Sequence, residues 1–562
     1  MKRASTIFTF FFVIICAFAQ VPDWQWAENA GGGAWDTGYG ITTSNFGNNY
    51  ITGLFYESAT FGSYSLTSNG YWDIFVAKLG VYGDWQWATN AGGIGGNGYF
   101  DDQGNGITSD ANGDLCVTGR FSETAVFGSY SLTSWGSTDI FVANIDNQGN
   151  WQWATLAGGD YVDEGYAITC DDIGNTYVTG MFSEIATFGL YTLTSNGQSD
   201  IFVAKLNSNG NWEWAKKAGG IYVDIGYGII CDEFGDTYIT GEFMDTATFG
   251  SISLTSSGSE EIFVAKMDSN GNWLWAAKAG GSDPEIGQDI TIDTDGNLYI
   301  TGYFYGTAAF GPYTLTSNGL YDIFVAKIDQ DGEWQWASKA GGNANSPDEG
   351  FGITIDVDEN LYITGKFAET AYFGTHILTS SGLNDIFVAK IDQDGEWQWA
   401  IKAGGSLPDE GAAISIDLAG NIYVTGNFHG TAAFDPYSIT SNGDGDIFVA
   451  QLGPDTSNGN QTISNYMEIS NYPNPFNPAG AGRSPVTTIR YQLPEISKVS
   501  LKIYNIKGQL VKALVNEIKP AGEHSIIWDG RDEKEQTVES GIYLYHLRDG
   551  TKMVSKKMVL MK

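Results

Sequence analysis

The chain has little of what most enzymes and nucleic-acid-binding proteins are made from. Among 562 residues there are four His (His376, His429, His524 and His546), four Cys, 13 Pro, and only 28 basic residues against 66 acidic ones. A formal charge of −38 repels polyanions and argues against nucleic acid as a partner. Neither H-E-x-x-H nor G-x-S-x-G occurs, and no phosphate-cradling Gly-rich loop is present. Catalysis of the metalloprotease, serine-hydrolase and P-loop types is therefore not expected. Helical periodicity is missing as well, and no apolar run after residue 19 is long enough to span a membrane.

Repetition fills the place of those signals. The element W-x-W-A starts at Trp24, Trp85, Trp151, Trp212, Trp273, Trp334 and Trp397, in steps of 61, 66, 61, 61, 61 and 63 residues. A second element, D-I-F-V-A, starts at Asp73, Asp139, Asp200, Glu261, Asp322, Asp385 and Asp446. A fixed period of tens of residues signals a repeat architecture. Each unit offers four short strand-like runs; in one copy these are Ile290 to Ile292, Leu298 to Phe304, Ile323 to Ile328 and Trp334 to Ala337. Asp-Gly turns join the first pair and the last pair, while Phe304 to Tyr321 reads as a long excursion. The run Ile323-Phe324-Val325-Ala326 is apolar at every position, as a strand buried on both faces is.

The expected fold class is thus all-β: a seven-bladed β-propeller followed by a small Ig-like β-sandwich. A linear solenoid would need polar capping repeats, and none is visible. The chain enters the repeats with a fourth strand at Trp24 and leaves them with a third at Asp446 to Leu452, so its two ends can complete one blade.

The expected domains are a signal peptide at 1–19, the propeller at 20–452, a linker at 453–464 and the C-terminal domain at 465–562. Lys2 and Arg3, the apolar run Ile7 to Phe18 and the small-x-small Ala17-Phe18-Ala19 form the secretory signal. The three remaining cysteines, Cys116, Cys170 and Cys231, read as small buried hydrophobes rather than as disulfide or metal ligands. From Asn465 onward there are 14 basic and 10 acidic residues, which leaves 12 basic and 56 acidic residues for 20–464. Opposite charge balances mark two domains.

Two resemblances rest on these residues. Gly341-Gly342, Asp348, Gly350, Ile353, Asp356, Asn360, Tyr362, Thr364-Gly365 and Asp385 to Lys390 resemble the SBBP type of bacterial β-propeller repeat, which implies a fold and no particular activity. Tyr472-Pro473-Asn474-Pro475-Phe476, Lys507-Gly508, Gly541-Ile542-Tyr543 and the basic end at Lys562 resemble a type A sorting domain of the type IX secretion system. The insertion Ala479 to Pro485 departs from that pattern. The resemblance implies the type IX secretion machinery as partner and a secreted location, extracellular or on the outer-membrane surface of a Gram-negative bacterium.

Three constellations are candidates for function. Fourteen of the 18 Trp lie in W-x-W pairs, whose indoles share one strand face and serve either sugar stacking or packing between blades. Asp36, Asp102, Asp163, Asp224, Glu285, Asp348 and Asp409 precede the first strand of each unit. Placed around one channel mouth they form a cation ring for calcium, or else each holds its own loop through backbone N–H groups. Asp293-x-Asp295-x-Asn297 and its kin look like fragments of calcium loops but lack the later bidentate Glu, and read as turns. The function expected is binding or adhesion toward a glycan or surface polymer, or a structural role, with no enzyme activity. The alternative is a carbohydrate-active hydrolase or lyase that uses channel-mouth carboxylates.

Overall fold

Alternating β-branched and aromatic residues between Asp-Gly turns favour extended backbone, and the computed structural model has strands and no helix among its described residues. It describes residues 21–454 and 468–560, apart from 45–46, 95–101, 111–112, 172, 344–345, 473–485, 494–496, 520–521, 535 and 550–551. The expected signal peptide, most of the expected linker and Pro473 to Phe476 lie outside the described residues.

One unit shows the plan. Its inner strand is Glu285–Ile292, its second Leu298–Phe310, its third Tyr313–Ile328 and its outer Trp334–Gly342. They pair antiparallel in that order, with Ile290 opposite Ile300, Thr301 opposite Val325 and Ala326 opposite Ala337. The pattern recurs along the chain. The strands Glu410–Ile416, Ile422–Phe428 and Asp446–Leu452 take their outer partner from the other end of the chain. Trp24–Gly32 pairs with Asp446–Leu452, setting Ala27 opposite Ala450 and Asn29 opposite Phe448. Successive inner strands are neighbours, and Glu410–Ile416 also neighbours the first of them, Thr37–Thr43.

The third strand explains why no unit stands alone. Ile323 and Val325 pack with Ile353, Ile363 and Phe367 of the following unit, whereas Phe324 and Ala326 pack with Tyr238, Ile262 and Val264 of the preceding one. All four core residues of the strand are fully buried. Each large side chain so buried contributes about 1.5–3 kcal/mol, and the side chains on one face lose that contribution if the neighbour on that side is missing.

The tryptophans join the same contacts. Trp334 meets Phe310 edge-on at 5.3 Å and donates Nε1–H to the Lys278 carbonyl of the preceding unit at 3.2 Å. Trp336 donates to the Gln393 carbonyl of the following unit at 2.9 Å. Gly332, at φ 86° in the turn before them, sits against Trp275, whose ring lies 3.1 Å from where a β-carbon would stand. Left-handed backbone and this close approach both require glycine there. The pairs pack unit against unit.

One expectation is corrected. Phe304 to Tyr321 is no loop: Gly306, at φ 69°, forms a bulge between Tyr305 and Thr307, and pairing resumes from Thr307 opposite Thr316 to Phe310 opposite Tyr313. The signal was present in T-A-A-F, where Ala308 and Phe310 are buried and Thr307 and Ala309 exposed. The bulge at Gly306 interrupts the alternation without ending the strand.

The C-terminal residues form a three-stranded sheet (Glu468–Tyr472, Thr487–Leu493, Gly522–Trp528) and a four-stranded one (Ser497–Asn505, Leu510–Lys519, Gly541–Asp549, Lys552–Leu560). Ile489, Leu501, Trp528, Tyr545 and Met558 share a separate core between them. The two sheets packed on that core agree with the sandwich expectation.

Pairing across the two ends of the repeat region makes a prediction. Deleting Pro22 to Ala30 strips the partner from Asp446–Leu452 and leaves an open sheet edge. The truncated protein is expected to melt several degrees lower or to aggregate; equal melting and solubility of the two forms would reject closure by the N-terminal strand.

Candidate functional site

The seven acidic residues before the inner strands are buried: Asp36, Asp163, Asp224 and Glu285 are 0% exposed, Asp348 and Asp409 1%, and Asp102 3%. Their carboxylates accept backbone N–H bonds. Asp348 takes Gly342 N–H at 2.8 Å on Oδ2 and Ala368 N–H at 2.9 Å on Oδ1. Asp36 does the same with Gly32 and Tyr56, Asp102 with Gly93 and Ser122, Asp224 with Gly220 and Met244, and Asp409 with Gly405 and His429. Asp163 accepts from Ser183, and Glu285 from Gly281. Asp36, Asp102, Asp224, Asp348 and Asp409 therefore tie the start of the crossover to the second strand of the unit. Removing such an acceptor leaves buried N–H groups unsatisfied, at about 1–3 kcal/mol apiece. Burial pushes Asp36, Asp163, Asp224, Asp348 and Asp409 up to about 7 and Glu285 up to about 8, against the pull of those N–H bonds. Among the described residues, no group of three or more His, Cys, Asp or Glu side chains is placed to hold a metal ion.

The Asp-rich turns are self-contained. Asp293 Oδ1 accepts N–H from Asp295 and Asn297, and its Oδ2 accepts from the Asn297 side chain and the Tyr299 hydroxyl. Cys116, Cys170 and Cys231 are not joined in disulfides.

A different set of residues converges at the centre. Every inner strand carries a bulge, and the bulged residue has no cross-strand partner: Tyr166 between Gly165 and Ala167, Tyr227 between Gly226 and Gly228, Gln288 between Gly287 and Asp289, Phe351 between Gly350 and Gly352. A bulge re-aims one side chain out of the alternation. Small residues flank it because adjacent inner strands nearly touch; a β-carbon on Gly228 would stand 3.1 Å from Asp289 Cα.

The re-aimed side chains meet across units. The rings of Tyr166 and Tyr227 are 5.2 Å apart, and Tyr303, at the end of the neighbouring second-strand core, lies 5.2 Å from Tyr321 and 6.5 Å from Phe351. Carboxylates accompany them. Tyr166 donates to Glu164 Oε2 at 3.1 Å, and Tyr227 donates to Glu242 Oε1 at 3.3 Å. Arg120 bonds Glu164 at 2.9 Å, while Lys366 bonds Glu349 at 2.9 Å and Glu410 at 3.3 Å, over the Phe351 ring at 5.1 Å. Burial first, and Glu260 second, push Glu242 up to about 7. The result is an arc of aromatic faces and polar groups within an otherwise repeating frame.

Sequence reasoning missed the arc. Its signal was the most variable position inside G-x-G/A/D-I, occupied by Tyr39, Asn105, Tyr166, Tyr227, Gln288, Phe351 and Ala412 in turn. Reading for what repeats hides the place where the repeat changes.

Comparisons with known proteins agree with this frame. The β-propeller repeat family (SBBP) matches residues 274–303, and the FlgD Ig-like domain matches residues 479–551. An uncharacterized WD repeat-containing protein of Acanthamoeba polyphaga mimivirus is 25% identical over 359 residues, covering 49% of this chain and 26% of its own length. The regulatory protein FlaEY of Caulobacter vibrioides is 26% identical over 177 residues, covering 30% of this chain and 18% of its own length. The chain thus spans about a quarter or less of these relatives. A solved structure of PorZ, a surface component of the type-IX secretion system of Porphyromonas gingivalis, aligns with 11% identity and a TM-score of 0.19 over 95% of this chain and all of that one, too remote to argue from. The repeat match, the four-stranded antiparallel units and the separate sandwich make this chain a β-propeller repeat protein with an Ig-like domain.

Proposed function

We propose that residues 20–452 form a closed seven-bladed propeller that binds a glycan or other polar surface polymer at its central arc, and that residues 465–562 carry it through the type IX secretion system to the cell surface or beyond. The arc of Tyr166, Tyr227, Tyr303 and Phe351 with Glu164, Glu242, Glu349 and Lys366 carries the binding reading. Aromatic faces suit the C–H faces of sugar rings, and carboxylates and amides suit hydroxyls. An excess of carboxylates disfavours anionic polymers. The pairing of Trp24–Gly32 with Asp446–Leu452 and the return of the last inner strand to the first support the closed ring.

A glycan array probed with residues 20–464 tests this reading, with and without calcium. A hit is expected to weaken at least about tenfold in Tyr166→Ala and Tyr227→Ala, as truncation of an aromatic anchor does. Equal binding by both variants would place the ligand elsewhere. Dependence of the hit on calcium, lost in Asp348→Asn, would assign the cation role to the acidic series.

A hydrolase is the second reading, favoured by Glu242, a carboxyl that burial pushes up to about 7 beside a tyrosine hydroxyl. Release of reducing ends from a bound glycan, abolished in Glu242→Gln, would establish it over simple binding.

Export is tested separately. In a host that has the type IX system, a chain ending at residue 464 is expected to fold and remain in the periplasm, while residues 465–562 behind a signal peptide and a neutral reporter reach the surface. Normal surface delivery of the shortened chain would reject the sorting role and leave the domain as an adhesive Ig-like module.

A further inference from the structure

Each junction between units buries a second carboxyl beside the first. The acidic residue opening every third-strand core run, Asp139 and Asp446 among them, is 0% exposed. The glycine ending the preceding outer strand stands between the two acids. At Gly158, φ 149°, a β-carbon would lie 2.5 Å from Asp139 Oδ1 and 2.9 Å from Asp163 Oδ2. Gly31, Gly219 and Gly404 are placed the same way between Asp446 and Asp36, Asp200 and Asp224, and Asp385 and Asp409. At Gly280 both acids are Glu, Glu261 and Glu285, so the two positions lengthen together.

Every junction leaves a carboxyl oxygen without a hydrogen-bond partner. Six times it is Oδ1 of the third-strand acid, and at the Glu pair it is Glu285 Oε1. At the Asp139 and Asp163 junction the Gly159 N–H is shared between the two carboxyls, and neither facing oxygen has a well-formed hydrogen bond of its own. The remaining oxygens are engaged, Asp139 Oδ2 by Trp135 N–H and Asp163 Oδ1 by Ser183 N–H, each at 2.9 Å. A buried ionised pair with unpartnered oxygens is costly. N–H groups already aimed at the other oxygens leave too few free lone pairs for a metal ion.

Counter-charge differs around the ring. Lys217, Lys278, Lys339 and Lys402 reach the third-strand acids of four successive units at 3.3, 2.8, 3.2 and 3.2 Å. Asn90, Leu156 and Asn29 occupy the matching places in the other three. Near Asp446 the titratable neighbour is His429, and at the Asp139 and Asp163 junction the further acidic neighbour is Asp160.

We propose that the carboxyl pair at each junction holds one proton around neutral pH, and that losing these protons in mildly alkaline solution loosens the packing of unit on unit. Burial pushes Asp139 up to about 6 and Asp163 up to about 7. An acid raised on folding contributes stability that is complete below its unfolded value near 4 and is lost as pH rises through the folded values. The junctions therefore favour pH 4 to 6 over pH 8.

The test compares melting of the mature chain at about pH 5.5 and about pH 8.5, where a fall of about 5 °C or more is expected. General repulsion in this acidic chain is common to all variants, so the difference between variants reads the junction. Asp139→Asn removes one acid, and Leu156→Lys supplies the ammonium that Lys217 supplies one unit later; both are expected to shrink the alkaline fall. Infrared spectra of the unaltered chain provide a readout independent of those substitutions. Carboxylic-acid carbonyl absorption is expected to persist at about pH 6.5, where ordinary carboxyls are ionised, and to fade by about pH 9. Equal melting at the two pH values, an unchanged fall in both variants, absence of that absorption, or recovery of alkaline stability on adding calcium would overturn the proton assignment.

Discussion

Everything in the repeat region depends on one constraint: the third strand of each unit is apolar on both faces. Ile323 and Val325 face forward and Phe324 and Ala326 face back, so a single sheet cannot bury its own centre. Stacking sheets face to face resolves this only if neither end of the stack is left open. The Trp24–Gly32 strand, hydrogen-bonded to Asp446–Leu452, brings the chain's beginning to its last unit. Tryptophans then hold the outer edges, and several of them, Trp334 and Trp336 included, reach a carbonyl in a neighbouring unit.

Close stacking sets the cost of everything placed at the junctions. The loops that lead from one unit to the next carry backbone N–H groups into a region without water access, and the carboxylates of Asp36, Asp348 and their equivalents satisfy them. That service buries negative charge. Where a lysine from the outer strand reaches in, as Lys339 does toward Asp322, part of the charge is offset; where Leu156 or Asn90 stands instead, it is not. The acidic character of the repeats is thus not only a surface property: a good part of it lies in the seams.

At the axis the same crowding has another effect. Adjacent inner strands approach so closely that small residues line their contacts, and the bulge beside them frees one side chain per unit from any packing duty. A position without a packing duty is free to differ, and there the units do differ, from Tyr166 and Tyr227 to Gln288, Phe351 and Ala412. Repetition elsewhere supplies the frame, and departure from it at this one place supplies individuality.

Much of the fold was legible in the sequence. The period of W-x-W-A, the two-faced Ile-Phe-Val-Ala run and the Asp-Gly turns are local patterns, and local patterns decide strand, turn and burial on both sides. Charge balance and turn chemistry separated the C-terminal sandwich in the same way. The hairpin arm from Thr307 to Thr316 reads as a long excursion in the sequence because the bulge at Gly306 breaks the alternation, and only pairing with the neighbouring strand shows that the strand continues past it. The candidate site was less legible. Sequence placed Asp36, Asp163 and Asp348 ahead of the inner strands, but whether their carboxylates meet solvent or backbone N–H groups depends on how tightly the next sheet packs. Nor can spacing along the chain show that Asp139 and Asp163, 24 positions apart, flank one glycine, or that Tyr166, Tyr227 and Glu242 meet. Distances between units are set by side-chain volume across their shared faces, and that is a property of the packed units together.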